Sequence, residues 1–338
     1  MSGAAPQRRS GLTIPLFAHT LREHGEIVRE AEELGYTDLW SFETSGIDGF
    51  SPLVYAAAFS STARLGTAIV SAYTRGPAIL AMSAAAVEQA APGRFVLGIG
   101  SSTEAIVQGW NGIPFTRPVS TMRETIRRVR QALGGEKMSL APEAKGAFRL
   151  DAKPSTEVPV YAGALRGGML RMAGEVADGI VINFLPPSAV PQVLAEVRAG
   201  AQAAGRDPDG IDVVCRHMLC ADGLTDETRA VARFVLAVYV SSPPYEAFLR
   251  WIGMGELIDP VLEKWRAGDR QGALAAMSDE LLTSLLVIGD VDQCRERLEE
   301  YRSAGVRVPC IAPFSGAQDM RGAVRRAMRE LAPVRATA

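Results

Sequence analysis

The sequence has few of the residues that bind metals or form disulfide bonds. Its 338 residues include three histidines and four cysteines. The cysteines are widely spaced, and three histidines are too few to complete a metal site with them. We therefore expect no metal, and buried or incidental thiols in a reducing compartment. The four cysteines are Cys215, Cys220, Cys294 and Cys310.

Long apolar runs and a strong charge of one sign are also absent. No apolar run approaches the roughly 20 residues that cross a bilayer, and residues 1–10 are polar and basic without the apolar core of a signal peptide. The formal net charge is -2 and the basic residues are scattered, which disfavours nucleic acid as a partner. The sequence predicts a cytoplasmic protein without a membrane or nucleic-acid partner, with a disordered N-terminus over residues 1–10.

What the sequence does contain is a regular alternation of short apolar strands and helical stretches. No linker divides it, so we expect a single domain over residues 11–338. About eight strand–helix units predict a closed (β/α)8 TIM barrel. A doubly wound open sheet is the alternative, but it would concentrate glycine-rich loops at one switch point, and here they follow several strands. The expected strands are Leu12–Phe17, Asp38–Phe42, Leu65–Ser71, Phe95–Ile99, Val158–Ala162, Gly179–Asn183, Ile211–Cys220 and Ser284–Ile288.

Two segments do not fit the alternation and are expected to be insertions. Residues 135–153 are too long for a simple connection and are expected to form a small flap. Residues 241–282 contain helix-like pieces. They either pack outside the barrel or form a lid or wall over its mouth, since long excursions are often functional.

The stretch Gly98-Ile99-Gly100-Ser101-Ser102 ends an apolar strand with very little side chain. A bare backbone at this point would let a flat or anionic group approach closely. The dinucleotide-binding fingerprint is not completed, because Glu104 and Ala105 follow where a third glycine would stand. Taken alone, this loop is weak evidence for a ligand.

A second glycine-rich stretch follows Tyr161 and leads directly into a helix at Met169. It contains Gly163, Gly167 and Gly168. Free N–H groups at the start of a helix bind phosphate well, and glycines let the phosphate come close. An ordinary turn is the alternative interpretation.

In this order, these motifs resemble the luciferase-like flavin and deazaflavin oxidoreductases, from Thr13 to about Pro313. Within that family, Ala72-Tyr73-Thr74-Arg75 and Ala164 resemble the coenzyme F420-dependent, methylenetetrahydromethanopterin reductase-like group. The motifs that carry the resemblance are Leu39-Trp40 with Glu43, Leu65-Gly66-Thr67 with Arg75 and Pro77, Gly93-Arg94-Phe95 with Leu97, Gly98 and Gly100, Pro159-Val160-Tyr161 with Gly163 and Ala164, Ala177-Asp178-Gly179, and Ala304-Gly305.

The resemblance implies a bacterial luciferase-like TIM barrel with a non-prolyl cis peptide at or next to Ala68-Ile69, forming a bulge behind the cofactor ring. It also implies which residues contact the cofactor. These are Ala68, Ile69, Gly98, Gly100, Ser101 and Ser102 beside the ring, Ala162, Gly163, Ala164 and Leu165 at the phosphate, and Gly179 and Ile180 on the remaining wall.

An oxidoreductase of this kind also needs a group that supplies a proton at the barrel mouth. The candidates are Glu43, Thr44 and His19, with Tyr73 and His217 as further ones. Glu43 stands where relatives have an acidic residue, but the next position, often histidine in them, is Thr44. A threonine hydroxyl can orient a group, yet it cannot act as a general acid near neutral pH.

The resemblance implies an enzyme that transfers a hydride between coenzyme F420 and a small organic substrate. The alternatives are an FMN-dependent luciferase-like monooxygenase and a non-catalytic flavin-binding relative. Arg75 is expected either to form a structural ion pair or to bind the acidic tail of the cofactor. Family members are commonly dimers or tetramers, so a homodimer or higher homo-oligomer is implied, through the helices near the second and third strands.

Overall fold

A computed structural model describes residues 8–139 and 146–333. Within them, eight strands pair side by side in the order β10-β1-β2-β3-β5-β6-β7-β8, and β8 pairs with β10 to close the ring. Every pairing in the ring is parallel, so the predicted TIM barrel is confirmed. The strands are β1 (Gly11–Thr13), β2 (Asp38–Ser41), β3 (Arg64–Thr67), β4 (Val70–Ser71), β5 (Phe95–Gly100), β6 (Val160–Gly163), β7 (Gly179–Asn183), β8 (Asp212–Cys220), β9 (Val287–Ile288) and β10 (Val308–Pro313).

Helices surround the barrel and bury their apolar sides against it. In the fourth helix, for example, Met122, Ile126 and Val129 are fully buried at helical spacing. No helix in the described part of the chain is long and apolar enough to cross a membrane. The helices are α1 (His24–Glu33), α2 (Ser51–Ala57), α3 (Ala72–Ala90), α4 (Pro118–Leu133), α5 (Gly167–Val176), α6 (Val190–Ala203), α7 (Asp226–Val240), α8 (Pro243–Trp251), α9 (Gly255–Arg266), α10 (Arg270–Ala275), α11 (Asp279–Leu285), α12 (Val291–Ser303) and α13 (Met320–Glu330).

The eighth barrel strand is Val308–Pro313, and the prediction of Ser284–Ile288 for it is wrong. Helix α11 continues to Leu285, and the short β9 pairs with the end of β8 outside the ring. Strand β10 instead lies between β1 and β8. It contains Pro309, and proline is rare inside central strands because it has no N–H to donate. The sequence pattern therefore concealed this strand.

The expected third strand, Leu65–Ser71, is interrupted in the middle. Strand β3 ends at Thr67, β4 begins at Val70, and the peptide bond between Ala68 and Ile69 is cis. The cis bond that the family resemblance implied is therefore confirmed. The side chain of Ile69 lies at this interruption, where the strand reaches the end of the barrel.

The two expected insertions differ in the parts of the fold that they contact. In the first, Met138 and Phe148 form an isolated antiparallel bridge, and residues 140–145 of the expected flap lie outside the described residues. The second forms helices α8 to α11, which pack on α7. From α8, the Tyr245 hydroxyl donates a hydrogen bond to the Asn183 side-chain oxygen at 3.1 Å. This insertion therefore contacts the carboxyl end of β7.

The amino-terminal end of the barrel is closed by a network of charged side chains. Arg9 and Arg64 both contact Asp38 at 2.7 Å, and both also contact Asp212, at 2.7 and 3.2 Å. The Tyr161 hydroxyl donates to Asp212 at 2.6 Å. Burial, assisted by that carboxylate, raises the pKa of Tyr161. Residues 1–7 of the expected disordered N-terminus lie outside the described residues, but Arg9 is an ordered part of this network.

We predict that Asp38→Asn destabilises the fold by about 3–5 kcal/mol. The Asp38 side chain is 1% exposed, and its loss of negative charge would leave Arg9 and Arg64 without one of their two anionic partners. The change is measured as the free energy of unfolding in urea. Asp209→Asn is the control, because the Asp209 side chain is 70% exposed and pairs with Arg198 at the surface. This control should change stability by less than about 0.5 kcal/mol. Equal losses in the two variants would contradict a special role for the network.

Candidate active site

The carboxyl ends of the eight barrel strands meet on one face, which we call the mouth. Barrel enzymes build their sites from the loops on this face. Most of the predicted cofactor contacts lie there, but three do not. Ala162 and Ile180 are fully buried in the core that faces the helices. Gly179 opens β7 at the opposite end of the barrel and packs against the Tyr161 ring. These three positions are corrected, since alternation along the strands and strand direction keep them away from the mouth.

The glycines of β5 and β6 make room for the interrupted third strand. A Cβ on Gly100 would lie 2.7 Å from the Ile69 Cδ1 atom, and one on Gly163 would lie 3.2 Å from its Cγ2 atom. A Cβ on Gly98 would overlap the Thr67 carbonyl oxygen. The expectation of bare backbone open to a ligand therefore needs correcting. Thr67 and Ile69 fill this space, and the half-buried Ile69 side chain forms the surface at the mouth that we call the Ile69 wall.

The start of helix α5 has the properties of an anion-binding site. No side chain caps it. A Cβ on Gly167 would meet no atom within 4 Å, and one on Gly168 would meet only Val119, at 3.9 Å. The backbone N–H groups of the first turn can therefore be approached closely by a phosphate. Together, the Ile69 wall and this helix start fit a group with a planar ring and a phosphate.

The remaining predicted contacts follow strands β3, β5 and β6. Ser101 and Ser102 follow β5 and are half-buried, and the Ser101 hydroxyl donates to the Ser102 carbonyl at 3.4 Å. Ala164 and Leu165 lie between the end of β6 and the start of α5, and Ala164 is 4% exposed. Ala68, the residue before Ile69, is 9% exposed. These residues leave little side-chain bulk between the wall and the helix start.

The carboxylate of Glu43 is held by a neighbouring arginine. Arg75 approaches its Oε2 atom with Nη2 at 2.6 Å and Nε at 3.0 Å. The Gly49 N–H donates to the same oxygen at 3.0 Å. The Arg75 guanidinium also lies 3.7 Å from Asp48, so the expectation of a structural ion pair for Arg75 is confirmed. Glu43 is therefore fixed in place between the loop that follows β2 and the first turn of α3.

Of the three histidines, His19 lies in the loop between β1 and α1, and His24 is the first residue of α1. His24 Nε2 accepts a hydrogen bond from the Leu16 N–H at 2.7 Å, so its Nδ1–H donates to the Thr20 carbonyl at 2.8 Å. Both nitrogens of His24 are thus used to hold the loop. His19 Nδ1 lies 2.9 Å from the Phe17 carbonyl. No residue in the described part of the chain hydrogen-bonds to His19 Nε2.

The other candidate proton donors are less well placed. His217 stacks on Tyr301 at 4.1 Å, and burial lowers its pKa to about 3. It packs behind β8 and is not at the mouth, which corrects its candidacy. The Tyr73 hydroxyl donates to the Thr116 carbonyl at 2.5 Å. Thr44 is exposed in the loop after β2.

Sequence reasoning missed one charged residue of the barrel interior. Arg216 lies in the middle of β8, and its Nε donates to the Thr13 hydroxyl at 3.2 Å. Its guanidinium lies 3.9 Å from the centre of the Phe42 ring. The available signal was an arginine within the apolar run of a predicted strand. Alternation alone could not show whether it faces the barrel axis or the helices.

A cavity of about 310 Å³ lies away from the mouth, near α11, β9 and α12. None of the predicted site residues lines it. Its lining residues are Thr283, Ser284, Leu286, Ile288, Gln293, Glu296, Arg297 and Glu300. The chemistry that the sequence predicts is therefore not located there.

Comparison with known proteins agrees with this arrangement. The chain is 30% identical over 293 residues to a 5,10-methylenetetrahydromethanopterin reductase of Methanolobus tindarius, covering 82% of this chain and 85% of that protein. The solved structure of a coenzyme F420-dependent tetrahydromethanopterin reductase from Methanopyrus kandleri matches with a TM-score of 0.78 at 24% identity, over 96% and 97% of the two chains.

A second solved structure has the same fold. It is an F420-dependent secondary alcohol dehydrogenase in complex with an F420–acetone adduct, with a TM-score of 0.73 at 18% identity, over 96% and 99% of the two chains. The family model described as luciferase-like monooxygenase matches residues 3–308. That match covers all of the barrel up to the start of β10. This chain therefore belongs to the luciferase-like monooxygenase family.

Proposed function

We propose that the protein is a coenzyme F420-dependent oxidoreductase that transfers a hydride between the deazaflavin and a small organic substrate. The observation that carries the proposal is the Ile69 side chain, seated against Gly100 and Gly163 on the same face as the uncapped start of α5. The named F420-dependent relatives support it. An FMN-dependent monooxygenase and a non-catalytic flavin-binding relative are the alternatives that the experiment must separate.

In this proposal the mouth binds the cofactor at two places. Ala68 and Ile69 support the ring, with Gly98, Gly100 and Gly163 behind them. The start of α5 holds the phosphate. Ser101, Ser102, Ala164 and Leu165 line the path between these places. When bound, the deazaflavin supplies a ring carbon that carries a hydride and reacts slowly with oxygen, while the protein positions the ring and excludes water.

Glu43 and Arg75 act in this proposal as a fixed ion pair that joins the loop after β2 to the first turn of α3 at the mouth. Because its oxygens already accept hydrogen bonds from Arg75 and Gly49, Glu43 is a positioning residue. His19 is the better proton donor, since its Nε2 atom is unengaged among the described residues and an imidazole can transfer protons near neutral pH. Thr44 orients the donor or the substrate.

We predict that the full chain binds coenzyme F420, measured by quenching of the deazaflavin fluorescence, and binds FMN at least 10-fold more weakly. Reduced F420 should be oxidised by a suitable member of a panel of enones and ketones without uptake of oxygen. Tight FMN binding with oxygen consumption would replace the proposal by the monooxygenase alternative. Cofactor binding without turnover of any substrate in the panel would favour the non-catalytic relative.

We further predict that Gly100→Ala weakens F420 binding by more than about 10-fold, because the added methyl forces the Ile69 side chain toward the mouth. The double variant Ile69→Ala with Gly100→Ala should regain part of the affinity, because the clash is removed. Gly210→Ala is the control, since its Cβ would lie 3.8 Å from its nearest neighbour at the other end of the barrel. Equal affinity in Gly100→Ala and the wild type would place the ring elsewhere.

His19→Asn and His19→Gln together test the proton donor. Asparagine can reproduce the bond from Nδ1 to the Phe17 carbonyl, and glutamine places its amide nearer the Nε2 position. If His19 transfers a proton, both variants lower kcat by roughly 10²-fold and leave F420 affinity unchanged. If His19 only holds the loop, His19→Asn keeps the wild-type kcat, which would contradict the assignment.

We also propose a homodimer through α2 and α3. These neighbouring helices expose Val54, Ile79 and Met82, which are 42%, 48% and 50% exposed, and isolated apolar patches of this kind mark interfaces. Ala84 and Ala85 are buried within the subunit, so the alanine run of α3 packs in the core.

We predict that Ile79→Asp shifts the light-scattering mass from dimer to monomer, whereas Val238→Asp on the exposed face of α7 does not. A dimer that persists in Ile79→Asp would exclude this face.

A further inference from the structure

Arg216 is a buried cation without a buried anion beside it. The residue is 7% exposed. Its Nε donates to the Thr13 hydroxyl and its guanidinium stacks on Phe42. Across the described residues, no carboxylate lies within 4 Å of it, and neither Nη nitrogen donates a hydrogen bond. By contrast, Arg9 and Arg64 at the other end of the barrel share two aspartates.

This arrangement is costly for the protein alone. A guanidinium removed from water loses hydration, and only a paired anion or several hydrogen bonds restore it. Burial accordingly lowers the pKa of Arg216. A single bond to Thr13 and contact with an aromatic face compensate only in part. An anion supplied from outside the chain would complete the pairing.

The residues around Arg216 place it close to the mouth. Thr13 and Phe42, which both contact Arg216, also line a cavity of about 10 Å³ together with residues that follow β1 and with the last two residues of β10, a space of roughly one water molecule. Asn183 lies opposite Arg216 in the pairing of β7 with β8 and accepts the hydrogen bond from Tyr245. Arg216 is therefore at the level where β7 ends.

An aromatic wall stands beside it. The rings of Phe184 and Tyr239 lie 4.3 Å apart, and those of Tyr239 and Tyr245 lie 5.1 Å apart. Tyr239 and Tyr245 are close enough to interact electrostatically with Arg216. Flat aromatic surfaces next to one unpaired cation suit a flat apolar molecule that carries one negative group.

The position in the ring separates Arg216 from the proposed cofactor wall. In the strand order, β8 lies four strands from β3 in either direction, so the two strands face each other across the barrel. Ile69 follows β3, whereas Arg216 belongs to β8. A ring held by Ile69 would leave Arg216 on the far side, where the substrate must lie.

We propose that Arg216 binds the carboxylate of an aromatic or unsaturated organic acid, which makes such acids the substrate class of this oxidoreductase. This inference rests on the proposed function. The two Nη nitrogens of Arg216 form the fork that pairs with both oxygens of a carboxylate. The aromatic wall of Phe184, Tyr239 and Tyr245 packs on the body of the acid.

The test compares benzoate and cinnamate with their neutral amides, benzamide and cinnamamide, by calorimetric titration of the full chain. At least one acid should bind the wild type saturably, and Arg216→Met should weaken it roughly 10- to 100-fold. The amides should bind the wild type and Arg216→Met equally. Arg29→Met is the control, because Arg29 also stacks on a phenylalanine, Phe59, at 4.6 Å, but on outer helices, and it should bind acids like the wild type.

Thermal unfolding separates a binding role from a merely structural one. Without ligand, Arg216→Met should be at least as stable as the wild type, because an unpaired buried charge has been removed. A lower melting temperature in Arg216→Met would assign the arginine to the fold and overturn the inference. Unchanged acid affinity in Arg216→Met would also overturn the inference, and so would the absence of acid binding to the wild type.

A parallel titration with F420 keeps the two proposals distinct. Unchanged F420 affinity in Arg216→Met supports the substrate assignment. A loss of F420 affinity equal to the loss of acid affinity would assign Arg216 to the cofactor and overturn it. If the wild type binds FMN instead of F420, the proposed function fails, while the comparison of acids with amides still decides whether Arg216 binds carboxylates.

Discussion

Closure of the barrel by β10, between β1 and β8, is the constraint on which the other features depend. Once eight parallel strands form a ring, all amino-terminal ends lie on one face and all carboxyl ends on the other. Side chains that alternate inward share a narrow interior. Residues far apart in the chain, such as Arg9 and Asp212 or Thr13 and Arg216, are then forced into contact. The charge balance of each end of the ring becomes a property of the whole molecule.

The two ends balance charge differently. At the amino-terminal end, two arginines and two aspartates neutralise each other, and Tyr161 completes their hydrogen bonds. Toward the mouth, the interior holds Arg216, which contacts the Thr13 hydroxyl and the Phe42 ring and has no carboxylate within 4 Å among the described residues. A neutral network whose hydrogen bonds are all made stabilises a fold, whereas a cation with unused N–H donors can still bind an anion. The difference matches the division of barrel enzymes into a stabilising face and a functional face.

The glycines of β5 and β6 show how a correct sequence signal can have a different cause from the expected one. Glycine at 98, 100 and 163 indicated a place where something approaches the backbone closely. The approaching group is part of the chain itself, namely Thr67 and Ile69. The candidate site therefore depends on the Ile69 side chain, which occupies the space that the glycines of β5 and β6 leave free. Its shape is set by packing between strands and not by a single loop.

The alternation of strands and helices, the barrel and the face on which most candidate residues lie could all be predicted from the sequence, because they follow from local periodicity and strand direction. The sequence could not identify β10, because Pro309 interrupts the sequence pattern of a strand that is recognised by its pairing with β1 and β8. The expected strand already began at Gly179, which places that glycine at the amino-terminal end of the barrel. The sequence could not show that Arg75 holds Glu43 or that His217 faces away from the mouth. Nor could it show that Arg216 faces the interior with no carboxylate beside it among the described residues. These points follow from the folded chain alone, because each depends on which distant residues share the same space.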